Sequence, residues 1–190
     1  MQVIEEMAIC DLSGWPNLLA KNQTVLIRTP ISTFRPVARV ELRAALRRAL
    51  TRWSGFPDGA LPLMESACGP VWTGEDPLDI SLSYGISEGL IGLRHGGRIG
   101  VDIMPVQPLA EMKEVARWYL GPDVMDSIIR AGNPALEFAA AWTERESRVK
   151  CLKIGLTEWT EEQARMEALC ASHRLVLGED VVGCMSVSRA

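Results

Sequence analysis

Histidine is almost missing from this chain: His95 and His173 are the two among 190 residues, too few for a histidine-rich metal site. The five cysteines (Cys10, Cys68, Cys151, Cys170 and Cys184) are odd in number, and no two stand in a CxxC spacing. That pattern argues against a disulfide framework or a zinc site and for a reducing compartment, so a cytoplasmic protein is expected. No apolar run approaches the length needed to span a bilayer. The opening residues, MQVIEEMAIC, have neither the basic start nor the apolar core of a signal peptide. There is no excess of positive charge: the formal net charge is −4. Neither nucleic acid nor a membrane is therefore expected as a partner. Low-complexity segments and fixed-period repeats are also absent.

A hydrophobic content of 47% and a charged content of 23% belong to a soluble globular chain. Its length suits one domain of ordinary size or two small lobes. Charge is unevenly spread. Arg28, Arg35, Arg39, Arg43, Arg47, Arg48 and Arg52 crowd one stretch of the N-terminal half. Such a run reads first as a solvated helix face, and secondly as a patch for phosphates or an acidic partner.

The chain divides into recognisable elements. MAICDL reads as a strand, WPNLL as a turn or short helix, and TPISTFRP as a loop broken by two prolines. VARVELRAALRRALTRW is a helix with Leu42, Leu46, Ala49, Leu50 and Trp53 on its apolar face. GFPDGALP is a loop. DISLSY is a short strand, and GLIGLR and RIGVDIM are strands expected to form a hairpin through HGG. In the second of these, Asp102 and Met104 share a face. Three helices follow: LAEMKEVARWYL, PDVMDSIIRAG and PALEFAAAWTERESRVKCLKIG. The tail, ARMEALCASHRLVLGEDVVGCMSVS, reads as two or three strands with GED as a turn. The expected class is α+β, as two similar lobes divided at 1–104 and 105–190, or else one mixed sheet with packed helices.

The longest helix carries an oddity. Phe138, Trp142, Val149 and Leu152 mark one side of it, and Glu146 falls between Trp142 and Val149 rather than opposite them. A carboxylate there must be paired or must hold something. Trp142, Glu146 and Lys150 are spaced by four and drift through only about 80° of arc, so they share a face. Alone, Glu146 and Lys150 read as an i,i+4 ion pair of roughly 0.2–0.5 kcal/mol, as do Glu144 and Arg148. Asp102 changes the weighing. If its strand packs on this helix, two carboxylates and a lysine converge. Two oxygen ligands suit Mg²⁺, which keeps several waters and completes its shell with phosphate. A lysine beside them supplies a point charge for phosphate oxygens. That is equipment for phosphoryl transfer, where catalysis is mostly positioning and charge neutralisation.

IGVDI at 99–103 followed by WTERESRVK at 142–150 resembles the paired signature of the 4′-phosphopantetheinyl transferases. The matching residues are Gly100, Val101 and Asp102, then Trp142, Thr143, Arg145, Glu146, Ser147 and Lys150, with Arg145 in place of the usual lysine. KIGL at 153–156 resembles part of the family's continuation. Upstream, ELRAALRRAL looks like the family's basic helix, GPVW at 69–72 is similar to its GKPY stretch, and DISLS at 79–83 to its NISHS. Three positions depart from the pattern. Leu82 stands where a histidine contacts the nucleotide phosphate, Gly69 where a lysine is usual, and Met104 where a glutamate often serves as third metal ligand.

The resemblance implies a two-lobed α+β fold with coenzyme A between the lobes, acting as a monomer. It implies transfer of the 4′-phosphopantetheine arm from coenzyme A to a serine of an acyl or peptidyl carrier protein. Asp102 and Glu146 would hold Mg²⁺, Lys150 would neutralise the transferring phosphate, and Glu146 would take the serine proton, most easily through a water. Arg43 would approach the nucleotide phosphate, and Ser81 and Ser83 would hydrogen-bond a coenzyme A phosphate. Leu82 and Gly69 favour a rival expectation: a non-catalytic relative that binds a carrier protein or a coenzyme A derivative. Among the rest, His95 is expected to be solvated in its turn. Trp15, Trp53, Trp72, Trp118 and Trp159 read as core or cleft-edge aromatics, and Cys68 and Cys151 as small packed hydrophobes.

Overall fold

The computed structural model describes residues 7–10, 23–66 and 69–188. The turn or helix expected at WPNLL, with Trp15, and the reading of Cys68 lie outside them. The chain is mixed α+β and separates into two compact units, Met1–Ile99 and Gly100–Ala190. The division falls five residues before the expected 104/105 boundary. The strand that carries Asp102 hydrogen-bonds to the C-terminal strands, so Asp102 belongs to the second unit.

The first unit is built on a four-stranded sheet. Its strands are β1 (Met7–Cys10), β2 (Thr24–Pro30), β5 (Leu78–Tyr84) and β6 (Glu88–His95), in the order β1-β2-β6-β5. β1 runs parallel to β2, while β6 is antiparallel to both β2 and β5. A two-stranded ribbon, β3 (Leu63–Ser66) and β4 (Gly69–Trp72), lies in between. Helix α1 (Arg35–Ser54) covers one face of the sheet. Pro36 sits in its first turn, where a missing N–H costs nothing. Gly55 ends it in a left-handed conformation, its N–H donating to the Thr51 carbonyl at 3.0 Å. Leu42, Leu46 and Leu50 are fully buried against Val25 and Ile27 of β2, Ile91 and Leu93 of β6, and Ile80 of β5. Each such leucine contributes about 1.5–3 kcal/mol. Trp53 packs on Trp72, ring centroids 5.3 Å apart.

The second unit has a three-stranded sheet in the order β7-β9-β8: β7 (Ile99–Pro105), β8 (Cys170–Val176) and β9 (Val181–Ser188). β8 and β9 form an antiparallel hairpin through the segment holding GED. Four helices accompany the sheet: α2 (Met112–Tyr119), α3 (Pro122–Arg130), α4 (Pro134–Leu152) and α5 (Glu161–Glu167). α4 lies on β8 and β9 and also touches α3 and α5. Phe138 of α4, Ala116, Leu120 and Ile128 form a second cluster, with Met104 and Trp142 packed against it.

Several expectations are corrected. β6 and β7 do not pair through HGG, because they belong to different sheets. The hairpin is β5–β6, closed by the Gly85 N–H donating to the Glu88 carbonyl at 2.8 Å. β2 is a further strand, and it takes in Thr29 and Pro30 of the expected loop. ARME is not strand but the end of α5. His95 is not solvated: its side chain is 15% exposed and its Nδ1 is buried. Trp118, expected in the core or at a cleft edge, is 56% exposed, so of those two places it does not take the core.

Candidate active site

The site grows from one close approach, that of β7 to α4. The helix is sharply bounded. Asn133 caps it, its side chain accepting from the Leu136 N–H at 3.1 Å, with Pro134 in the first turn. It ends at Lys153, which takes a left-handed conformation (φ 58°) although it is not glycine. Between these ends the face toward the sheet is made of small side chains. Thr143 and Ser147 are fully buried, as is Cys151. Thr143 donates back to the Ala139 and Ala140 carbonyls at 2.9 and 3.1 Å. The Ser147 hydroxyl meets that of Ser186 on β9 at 2.7 Å, and Ser186 meets Ser172 on β8 at 2.9 Å. Arg148 continues this chain by donating to Ser172 at 2.9 Å while pairing with Glu144. Burial pushes the neighbouring Cys184 thiol up, against the opposing pull of a hydrogen bond with Ser147, so it stays protonated and inert.

Small side chains on the helix meet no side chain at all on the strand. A Cβ on Gly100 would stand 1.9 Å from the Ser147 carbonyl oxygen and 2.5 Å from the Cys151 nitrogen. β7 therefore lies with its backbone against the backbone of α4, and glycine is what permits it. Two residues on, the same strand face presents Asp102. The Lys150 ammonium donates to Asp102 Oδ1 at 2.7 Å and to the Val101 carbonyl at 3.2 Å. The Asp102 side chain is 10% exposed and that of Lys150 is 30%. The structure thus ties together two residues 48 positions apart.

Glu146, one turn before Lys150, is half-buried. Burial, first, and the charge of Asp102, second, push its carboxyl above the ordinary 4.5, while Lys150 and Arg145 pull the other way. Asp102, Glu146 and Lys150 therefore form one electrostatic group. Its partition differs from the simplest helix reading, since Lys150 is bonded to the strand acid. Met104 packs instead into the apolar cluster around Phe138. Among the described residues no group of three or more His, Cys, Asp or Glu side chains is placed to hold a metal. Asp102 and Glu146 are two hard oxygen donors beside an ammonium, a set that fits Mg²⁺ with its other positions taken by water and phosphate.

The resemblance gives Arg145 only the place of a lysine, and the structure gives it a task of its own. It is 5% exposed. Its guanidinium pairs with Glu167 of α5 at 3.2 Å, donates to the Thr157 carbonyl at 2.9 Å, and donates to the Tyr119 carbonyl. It clamps α4 to three other segments. A signal was present in the sequence: an arginine between the buried positions Thr143 and Ser147 of a helix needs partners as much as Glu146 does. Trp142 packs between Phe138 (5.8 Å) and Tyr119 (5.9 Å) and is a support for the helix.

The residues expected at the nucleotide lie in the first unit, and they do not gather. Arg43 of α1 holds Glu65 of β3 through two bonds, 2.8 and 2.9 Å, and donates to the Tyr84 hydroxyl at 3.2 Å. The Glu65 hydrogen bond raises the arginine further and lowers the carboxylate. Leu82 and Tyr84 pack against the α1-side cluster, on the same face of β5 as Ile80. Ser81 and Ser83 alternate with them and project from the opposite face, 6% and 3% exposed. Arg43 and the two serines are therefore on opposite sides of the sheet. Gly69 has φ 116° at the start of β4, a conformation that a lysine adopts only with strain.

No protein-family model matches the chain, and no curated protein matches it either. Among the described residues no helix is long and apolar enough to cross a membrane.

Proposed function

We propose that this protein is a 4′-phosphopantetheinyl transferase of the holo-acyl-carrier-protein synthase type. It moves the phosphopantetheine arm of coenzyme A onto a serine hydroxyl of an acyl or peptidyl carrier protein and releases adenosine 3′,5′-bisphosphate. The two-lobed fold implied by the sequence resemblance is part of the same reading, as are a cytoplasmic setting and a monomeric state. The observation that carries it is the 2.7 Å contact between Lys150 and Asp102, with Glu146 inside the field of both. A motif matched only in letters had no need to produce that convergence.

The roles follow from charge. Asp102 and Glu146 would hold Mg²⁺, which would supply charge neutralisation on the pyrophosphate. Lys150 directs its ammonium at the non-bridging oxygens of the transferring phosphate. Glu146 is drawn toward the proton by burial, which suits it to accept the serine proton through a water. Gly100 and Ser147 hold α4 against the strands, and Arg145 fixes α4 to α2, α5 and the segment at Thr157, so that these groups meet. The test is to incubate the protein with coenzyme A, Mg²⁺ and apo carrier proteins and to weigh the carriers. A phosphopantetheine mass gain that vanishes with Glu146→Gln is expected. No gain on any of several carriers removes the reading.

One observation favours a second reading, a binding module without turnover. Arg43 is engaged by Glu65, and Leu82 is half-buried against the core cluster. Neither is arranged to grip a 3′-phosphate. Calorimetry with coenzyme A and dephospho-coenzyme A separates the two. Equal affinities, no need for metal and no turnover would select the module.

A further inference from the structure

We propose that Lys150 couples metal binding to phosphate binding: it rests on Asp102 and moves to the phosphate when cation and phosphate arrive together, so that neither binds well alone. This rests on the magnesium–pyrophosphate reading above. The ammonium is held by two acceptors of one strand, Asp102 Oδ1 at 2.7 Å and the Val101 carbonyl at 3.2 Å. Gly100 presses that strand onto the helix from which Lys150 projects, so this resting place is built into the packing. The carboxylate it occupies is the one that must accept the cation. A divalent ion and an ammonium on one mostly buried carboxylate repel each other strongly, because little water screens them. Entry of the cation alone therefore has to displace or crowd Lys150. Phosphate oxygens remove the conflict by offering the ammonium charged acceptors in place of Asp102. The lysine stem is long and flexible, and its side chain is 30% exposed, so it can swing without breaking the helix. The consequence is reciprocal: phosphate tightens the cation by the same factor by which the cation tightens phosphate.

The experiment uses Mn²⁺ as a paramagnetic probe and inorganic pyrophosphate as the phosphate. Each protein is titrated with Mn²⁺ alone and with pyrophosphate, and protein-free mixtures give the background chelation. In the wild type, pyrophosphate is expected to tighten Mn²⁺ by about tenfold or more. Lys150→Met is expected to bind Mn²⁺ alone more tightly than the wild type and to gain little from pyrophosphate. Lys150→Gln, a second uncharged side chain, is expected to behave alike and serves if the methionine variant misfolds. The same pyrophosphate factor with and without the ammonium would mean a fixed point charge and would overturn the switch while leaving the metal site intact. A wild type that binds no Mn²⁺ even with pyrophosphate would overturn the metal site and the switch together.

Discussion

Gly100→Ala puts the positioning of the site to its severest test. The added methyl would stand 1.9 Å from the Ser147 carbonyl oxygen, 2.5 Å from the Cys151 nitrogen and 2.9 Å from the Ser147 carbonyl carbon. All three are backbone atoms of α4, so no rotamer change relieves the clash. Reaching even 3.0 Å from the oxygen requires strand and helix to separate by about 1.1 Å. Overpacking of a core costs about 1–3 kcal/mol, and contact against rigid backbone belongs at the upper end of that range. The same retreat acts on Asp102, two residues along. A 2.7 Å bond to Lys150 stretched by about 1 Å leaves hydrogen-bonding range, and misplacement on that scale costs roughly 10²-fold in rate. Urea unfolding gives the first quantity from the shift in midpoint, and the rate of carrier mass gain gives the second. Gly132→Ala is the control, since a Cβ there meets nothing within 4 Å. If Gly100→Ala matches Gly132→Ala in both midpoint and rate, the strand–helix approach does not position the site.

Other consequences can be measured separately. Glu146 binds its proton more tightly folded than unfolded, so its contribution to stability is full below the ordinary 4.5 and is lost as pH rises through its raised folded value. Glu146→Gln is therefore expected to gain stability relative to wild type between pH 4 and pH 7 while losing activity, and an equal offset at both pH values in thermal melts would refute this. Arg145→Met leaves Glu167, 6% exposed, without its cation and is expected to destabilise by about 3–5 kcal/mol. Adding Glu167→Met should restore much of that in urea unfolding; no recovery would show that the carbonyl contacts matter more than the pair. Lys153→Gly relieves a left-handed φ of 58° at the end of α4 and is expected to stabilise by up to about 1 kcal/mol, read as a raised unfolding midpoint. Arg43→Ala removes an exposed pair worth less than about 1 kcal/mol, so an unchanged midpoint is expected, with weaker coenzyme A binding by calorimetry if Arg43 serves the nucleotide.

The helices were the most legible part of the fold, and for a physical reason. α1 carries its own start and stop signals, Pro36 and Gly55, and α4 carries two start signals, Asn133 and Pro134, and these act locally. Pairing between strands is not local. RIGVDIM reads as the second arm of a hairpin because HGG is a good turn, yet β7 is drawn to β9, more than seventy residues later. β2 is hard to read although Val25, Leu26 and Ile27 form a continuous apolar run, because a central strand buried on both faces shows no alternation. ARME, the end of α5, reads as strand although the helix has a visible start signal. Thr160 caps it by accepting from the Gln163 N–H at 3.1 Å, the T-x-x-Q pattern of a capping box.

The candidate site was legible in a different way, because its spacing names the residues but not the reasons for them. Gly100, Thr143, Arg145 and Ser147 each have a packing account that needs no chemistry: close backbone approach, a bond back to the helix, a buried clamp and a hydroxyl chain. Replacing any of them should weaken the fold. Asp102, Glu146 and Lys150 have no such account. An apolar residue would fill the place of Glu146 without the cost of burying a carboxylate beside Asp102, and a buried ion pair such as Asp102–Lys150 is often no better for stability than hydrophobic replacements of both partners. Under the proposed function, these three ionisable groups are kept where packing alone would discard them for what they would contact when substrate is present. The distinction is open to experiment, because it predicts opposite signs. Substitutions in the first set should lower the unfolding midpoint. Glu146→Gln, or joint replacement of Asp102 and Lys150 by apolar residues, should leave the midpoint unchanged or raise it while the proposed activity is lost.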